Sequence, residues 1–176
     1  ILTDATDPNT EEMLEISTGG KNVRISHMQF TGYPGSGEYT GHIEVKGDNF
    51  RIDHIKFMTT GGKKSMTVRN GNGVIDNCIF GPNSRGINTF GTGWSSWENN
   101  ANYAPGTKKG VYIEDNVFEP SSITVVAGYD GCVYVFRNNQ VKNGGRLDVH
   151  GADSSDRSCI YIEVYDNEFT SSNTVY

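Results

Sequence analysis

With 176 residues the chain has room for one domain with a substantial core, and its length asks for no second domain. A net charge of −6 argues against a general grip on nucleic acid, and no apolar run is long enough to span a membrane. Three cysteines with no Cys-x-x-Cys spacing exclude the usual structural zinc site.

Along the chain a six-residue phrase recurs. It reads ISHMQF (25–30), IDHIKF (52–57), IDNCIF (75–80), IEDNVF (113–118), FRNNQV (136–141) and VYDNEF (164–169). Repetition at this interval signals stacked coils. The units are too rich in β-branched and aromatic residues, and too broken by glycine, for helical pairs. The fourth position runs Met28, Ile55, Cys78, Asn116, Asn139, Asn167. Stacked one above another, the three asparagines would form a hydrogen-bonded ladder. The expected fold is all-β: a right-handed, single-stranded parallel β-helix of about six coils, spanning 1–176 as one domain. His27 and His54 fall in the corner phrase and read as structural or surface-facing.

A second strand lies between the phrases: HIEVK (42–46), SMTVR (65–69), GINTF (86–90), SITVV (122–126) and RLDVH (146–150). Alternation turns Ile43/Val45, Met66/Val68, Ile87/Thr89, Ile123/Val125 and Leu147/Val149 inward. It leaves three outward columns: His42, Ser65, Gly86, Ser122, Arg146; then Glu44, Thr67, Asn88, Thr124, Asp148; then Lys46, Arg69, Phe90, Val126, His150. Such a face suits a long polymer laid across several coils.

The longest interval, after the third phrase, contains an insertion with Trp94, Trp97 and Tyr103, aromatics suited to stack on sugar rings. Near the end, Arg146, Asp148 and His150 share an outward face, followed by Asp153, Asp156 and Arg157. This is a candidate substrate-binding or acid–base set. Cys78 lies within a phrase and reads as core. Cys132 and Cys159 precede consecutive copies and are placed to approach each other.

The pattern resembles the pectate-lyase-like, right-handed parallel β-helix superfamily. The stretch MTVRNGNGVIDNCIFG (66–81) resembles the arginine strand of the chondroitinase B and alginate lyase family, with Lys46 one coil earlier on the same face. That resemblance implies β-elimination on an acidic polysaccharide. Lys46 would be the base and Arg69 would assist at the leaving oxygen, with Glu44, Trp94, Trp97, Tyr103, Arg146, Asp148 and His150 binding substrate. The family's calcium ligands have no acidic counterpart at Gly41 and Tyr39. Calcium is therefore the one cofactor in view, and no metal ligand set is assigned.

The expected partner is a polysaccharide, in an extracellular, cell-surface or virion setting. The alternative is a non-catalytic glycan-binding or structural β-helix such as a tailspike, adhesin or surface filament. Flanking domains or a homo-oligomer are expected to cover both ends of the helix.

Overall fold

The computed structural model describes residues 13–32, 41–59, 64–82, 84–91, 109–119, 124–150 and 159–171, which contain eighteen strands and no helix. The strands are numbered β1 to β18 along the chain. Each coil contributes one strand to each of three six-stranded sheets. The first sheet stacks β1 (Leu14–Ser17), β4 (Ile43–Lys46), β7 (Met66–Arg69), β10 (Ile87–Phe90), β13 (Thr124–Tyr129) and β16 (Arg146–Val149). The second stacks β2 (Val23–Ser26), β5 (Phe50–Asp53), β8 (Gly73–Asp76), β11 (Val111–Glu114), β14 (Val133–Arg137) and β17 (Tyr161–Tyr165). The third stacks β3 (Gln29–Gly32), β6 (Lys56–Thr59), β9 (Ile79–Phe80), β12 (Val117–Phe118), β15 (Gln140–Val141) and β18 (Glu168–Phe169). Neighbouring strands are parallel, and the fold is a right-handed parallel β-helix of six coils.

The recurrent phrase is the corner between the second and third sheets. Its third residue is the bend. His27, His54, Asn77, Asp115, Asn138 and Asp166 all adopt left-handed backbone, with φ between 52° and 59°. Asn, Asp and His tolerate this region better than other non-glycine residues, so the corner selects them. The fourth residue then points inward. Asn116 Oδ1 accepts from the Cys78 N–H at 2.8 Å, while its Nδ2 donates to the Ile75 carbonyl at 2.9 Å. Asn139 repeats this with the Asn116 N–H at 3.0 Å and the Ile113 carbonyl at 2.8 Å. Asn167 does so with the Asn139 N–H at 2.9 Å and the Phe136 carbonyl at 2.8 Å. Each asparagine thus satisfies backbone groups that a buried corner would otherwise leave unpaired.

The sixth position supplies much of the core. Phe30, Phe57, Phe80 and Phe118 are buried and stack ring on ring, with centroids 5.6, 5.0 and 4.4 Å apart. Ile43/Val45 and Met66/Val68 face inward as the alternation requires, and all four are fully buried. Gly73 is needed by close approach: a Cβ there would lie 2.6 Å from the Phe50 ring, which fills the space.

The register of the fifth coil differs from the sequence expectation. Val126, not Ile123, pairs with Ile87, and Tyr129, not Val126, pairs with Phe90. A bulge lies between Thr124 and Val126 where β13 meets β16. The extra residue resets the alternation, a shift that a period-2 pattern conceals among successive β-branched residues. Ser122 and Ile123 lie outside the described residues.

Asn139→Leu keeps the approximate volume but strands the Asn116 N–H and the Ile113 carbonyl. The expected loss is about 2–4 kcal/mol in urea unfolding. A loss below about 0.5 kcal/mol would show that the ladder is not needed.

Candidate functional site

The first sheet brings Glu44, Lys46 and Arg69 together on its outward face. Lys46 and Arg69 are register partners on adjacent coils. Between them lies the buried Glu44 carboxylate, 2.8 Å from Lys46 Nζ and 2.5 Å from Arg69 Nε. Lys46 also meets Glu15 at 3.1 Å. Burial pushes Glu44 up, but the hydrogen bonds from Lys46 and Arg69 prevail and hold it below its ordinary value. The hydrogen bonds to Glu44 and Glu15 raise Lys46. This favours the ammonium form, whereas proton abstraction needs the amine. Calcium does not fit at Glu44, because one oxygen faces each cation and two positive charges flank the carboxylate. Among the described residues, no group of three or more His, Cys, Asp or Glu is placed to hold a metal ion.

The same column continues as a stack. The Arg69 guanidinium lies 4.4 Å from the Phe90 ring centroid. Phe90 stacks on Tyr129 at 4.7 Å, and Tyr129 on His150 at 4.4 Å. The ring faces are therefore spent on one another, and their edges are what this face leaves for a ligand. Arg146 pairs with Asp148 at 2.7 Å, and Thr124 donates to Asp148 at 2.8 Å. Arg146 and Asp148 lie on the sixth coil and Thr124 on the fifth, away from Lys46 on the second. Trp94, Trp97, Tyr103, Asp153, Asp156 and Arg157 lie outside the described residues.

Further residues expected to face outward are buried, Thr67 among them. His42 is buried beside the Phe30 and Phe57 rings, at centroid distances of 5.4 and 5.9 Å. It precedes β4 at a corner, where strand alternation no longer decides direction. Ser65 is buried too, bonded to Ser84 at 2.5 Å. Asn88 keeps its place between Thr67 and Ala127 but is fully buried, with both amide atoms unpaired.

The second sheet carries features the sequence reading did not single out. Arg24 grips Asp53 through two bonds of 2.8 Å, and Arg51 grips Asp76 at 3.0 and 2.7 Å. Each arginine reaches the second phrase position of the next coil. The Arg24 hydrogen bonds hold Asp53 well below the usual carboxylate range despite its burial. Further along, Arg137 bonds Glu114 at 2.6 Å and the Tyr165 hydroxyl at 2.9 Å, and lies 5.4 Å from the Tyr112 ring centroid.

Two pockets meet at the corner between the first and second sheets. The larger, about 440 Å³, is lined by Asn49, Phe50, Asn72, Gly73, Val74, Gly110, Tyr112, Glu114 and Arg137. The smaller, about 190 Å³, shares Asn72 and Gly110 with it and adds Asp48, Phe90 and Lys109 among others. Asn72 Nδ2 donates to Asp48 at 2.6 Å, and Asn72 Oδ1 accepts from the Gly110 N–H at 2.5 Å, so the shared wall is itself cross-braced. A signal for this corner was present in the sequence as GDN (47–49) and NGN (70–72), turn triplets one coil apart.

The chain matches no family model, no curated protein and no solved structure.

His42 sets a pH dependence. Burial pushes its imidazole from 6.5 to about 4; the Gly32 backbone opposes this, but neither ring nitrogen gains a hydrogen bond of normal geometry. Above about pH 6.5 both folded and unfolded forms are neutral and pH has no effect. As pH falls from there towards 4, the unfolded chain takes up a proton that the folded chain refuses. Stability therefore declines, by at most about 3 kcal/mol. His42→Phe is expected to flatten this limb in urea midpoints measured across the window. An unchanged slope would assign the acid loss to other groups.

Proposed function

We propose that this chain is a glycan-binding β-helix that takes an extended polysaccharide across the corner between its first and second sheets. The observation that carries the reading is the pair of pockets sharing Asn72 and Gly110. They set the Phe90 and Tyr112 rings among two carboxylates, amides, a guanidinium and a lysine. Aromatic carbon beside such converging polar groups matches a pyranose, which has apolar faces and a rim of hydroxyls. The larger volume falls in the range of small-ligand sites. A repeat of stacked strands supplies such a surface rigidly, and a polymer can continue along the outward face past Lys46, Arg69 and His150. The proposal includes kinship with the pectate-lyase-like superfamily and an extracellular, cell-surface or virion setting, both suggested by the repeat.

Binding is favoured over cleavage because Lys46 is held as a cation by Glu44 and Glu15. The second reading, β-elimination on an acidic polysaccharide, draws on the adjacency of Lys46 and Arg69. It requires loss of those ion pairs when substrate binds.

Tyr112→Ala is expected to weaken retention on a glycan affinity gel roughly tenfold, as loss of an aromatic platform does. Pectate, alginate and a neutral glucan would serve as the immobilised polymers. No retention by any of them, or full retention by the variant, would count against the corner as the site. The ultraviolet absorbance of unsaturated products from the same polymers tests cleavage. A signal in the wild type that Lys46→Ala abolishes would favour the lyase reading.

A further inference from the structure

The inward side of the fifth coil has a position with no side chain of its own. Gly128 in β13 lies in register between Thr89 of β10 and Val149 of β16. A Cβ built on Gly128 would stand 2.1 Å from Cys159 Sγ and 2.8 Å from Cys132 Sγ. Two sulfurs therefore occupy the volume that a side chain takes on the neighbouring coils. The Tyr134 ring is the next neighbour, at 3.3 Å from the same point.

The backbone brings the two cysteines there. Cys132 leads into β14 and Cys159 leads into β17, on adjacent coils. The Ile160 N–H donates to the Cys132 carbonyl at 2.9 Å, and Val133 pairs with Tyr161. Cys159 is therefore one residue diagonal to Cys132, and that diagonal across parallel neighbours, about 6 Å, is inside the Cα window for a disulfide. Both residues are free thiols in this structure, with their sulfurs in contact. Cys78 is on the third coil, its Sγ directed at the Ile52 and Asp76 carbonyls.

We propose that Cys132 and Cys159 are a redox-closed staple that fastens the sixth coil to the fifth. The sixth coil gains directly from one. It packs on a single described neighbour, and Val149, Val164 and Phe169 remain 48%, 48% and 49% exposed. In a stacked repeat each coil is held by its neighbours, so a covalent tie between two coils restrains both. The crosslink closes a loop across a separation of 27 residues, which restricts the unfolded and frayed states.

A low-molecular-weight disulfide is the oxidant. Cys159, the more exposed of the two, loses its proton, and its thiolate attacks one sulfur of the oxidant. The oxidant's S–S bond breaks and the first small thiol leaves. The Cys132 thiolate then attacks Cys159 sulfur in the mixed disulfide and expels the second small thiol. Two protein thiols become one disulfide, one small disulfide becomes two small thiols, and both protons leave on those products.

The test equilibrates the full chain with oxidised or reduced glutathione, then denatures it, alkylates it with iodoacetamide and weighs it intact. With three cysteines in the chain, the reduced sample is expected to carry three labels and the oxidised sample one, on Cys78. Before labelling, the oxidised chain is lighter by about 2 Da, the two hydrogens lost. Hydrogen exchange across 161–169 slows on oxidation, and the melting temperature rises on the order of 5–10 °C. Cys78→Ala keeps these differences, whereas Cys132→Ala or Cys159→Ala removes them. Three labels in the oxidised sample, or a pairing that includes Cys78, overturns the crosslink. A crosslink that leaves exchange across 161–169 unchanged overturns its role as a staple.

Discussion

A coil closes on itself only if the backbone bends sharply and the amide turned inward at the bend finds a partner. Here the two demands fall on consecutive residues. The left-handed residue makes the bend, and the next residue faces the core. On the later coils that residue is Asn116, Asn139 or Asn167, whose amide is a donor and an acceptor at once. The ladder it forms runs along the helix axis, and it fixes how one coil sits on the next. Two residues on, a phenylalanine stack runs up the first four coils and meets the ladder at the fourth, where Phe118 follows Asn116. On the early coils Met28, Ile55 and Cys78 take the position and contribute apolar packing instead.

The same stacking rule governs the surface. Residues in one column lie about 4.8 Å apart, so like charges on successive coils would repel unless something intervenes. Lys46 and Arg69 share Glu44. Arg24 and Arg51 stack in one column and Asp53 and Asp76 in another, and each arginine reaches diagonally to the aspartate of the next coil. Where charge gives out, rings take over, from Phe90 through Tyr129 to His150. A column that is satisfied internally has less left for a ligand. That is why the outward face of the first sheet, rich in candidate residues, offers paired charges and ring edges.

The architecture was legible because its signal is repeated six times. The phrase located the corner, and its fourth position identified the ladder. The alternation of Ile43, Val45, Met66 and Val68 located the first sheet. The fifth coil was misread because Ile123, Val125 and Val126 offer alternation in more than one phase, and a bulge chose among them. His42 was misread because alternation was extended one residue past β4. The cluster of Glu44, Lys46 and Arg69 was legible as a neighbourhood, but its protonation depended on which carboxylates reach which cations. The corner itself is marked by the turn triplets at 47–49 and 70–72, but the pockets beside it were illegible for a different reason. Asn72, Gly110, Tyr112 and Arg137 converge from three coils, and what joins them is shape rather than a local motif.

A solenoid is held by nearest-neighbour contacts, so its coils are unequal in rigidity. The first and sixth pack on one described neighbour each, while the second to fifth are held on both sides. The corner pockets draw their lining from the second to the fifth coils. Their shared wall is braced between coils by the Asn72 bonds to Asp48 and Gly110. A binding surface loses least to ordering when its groups are already fixed before the ligand arrives. The second to fifth coils, packed on both sides, meet that condition. The corner cleft lies on those coils, and the paired thiols lie where the sixth joins the fifth.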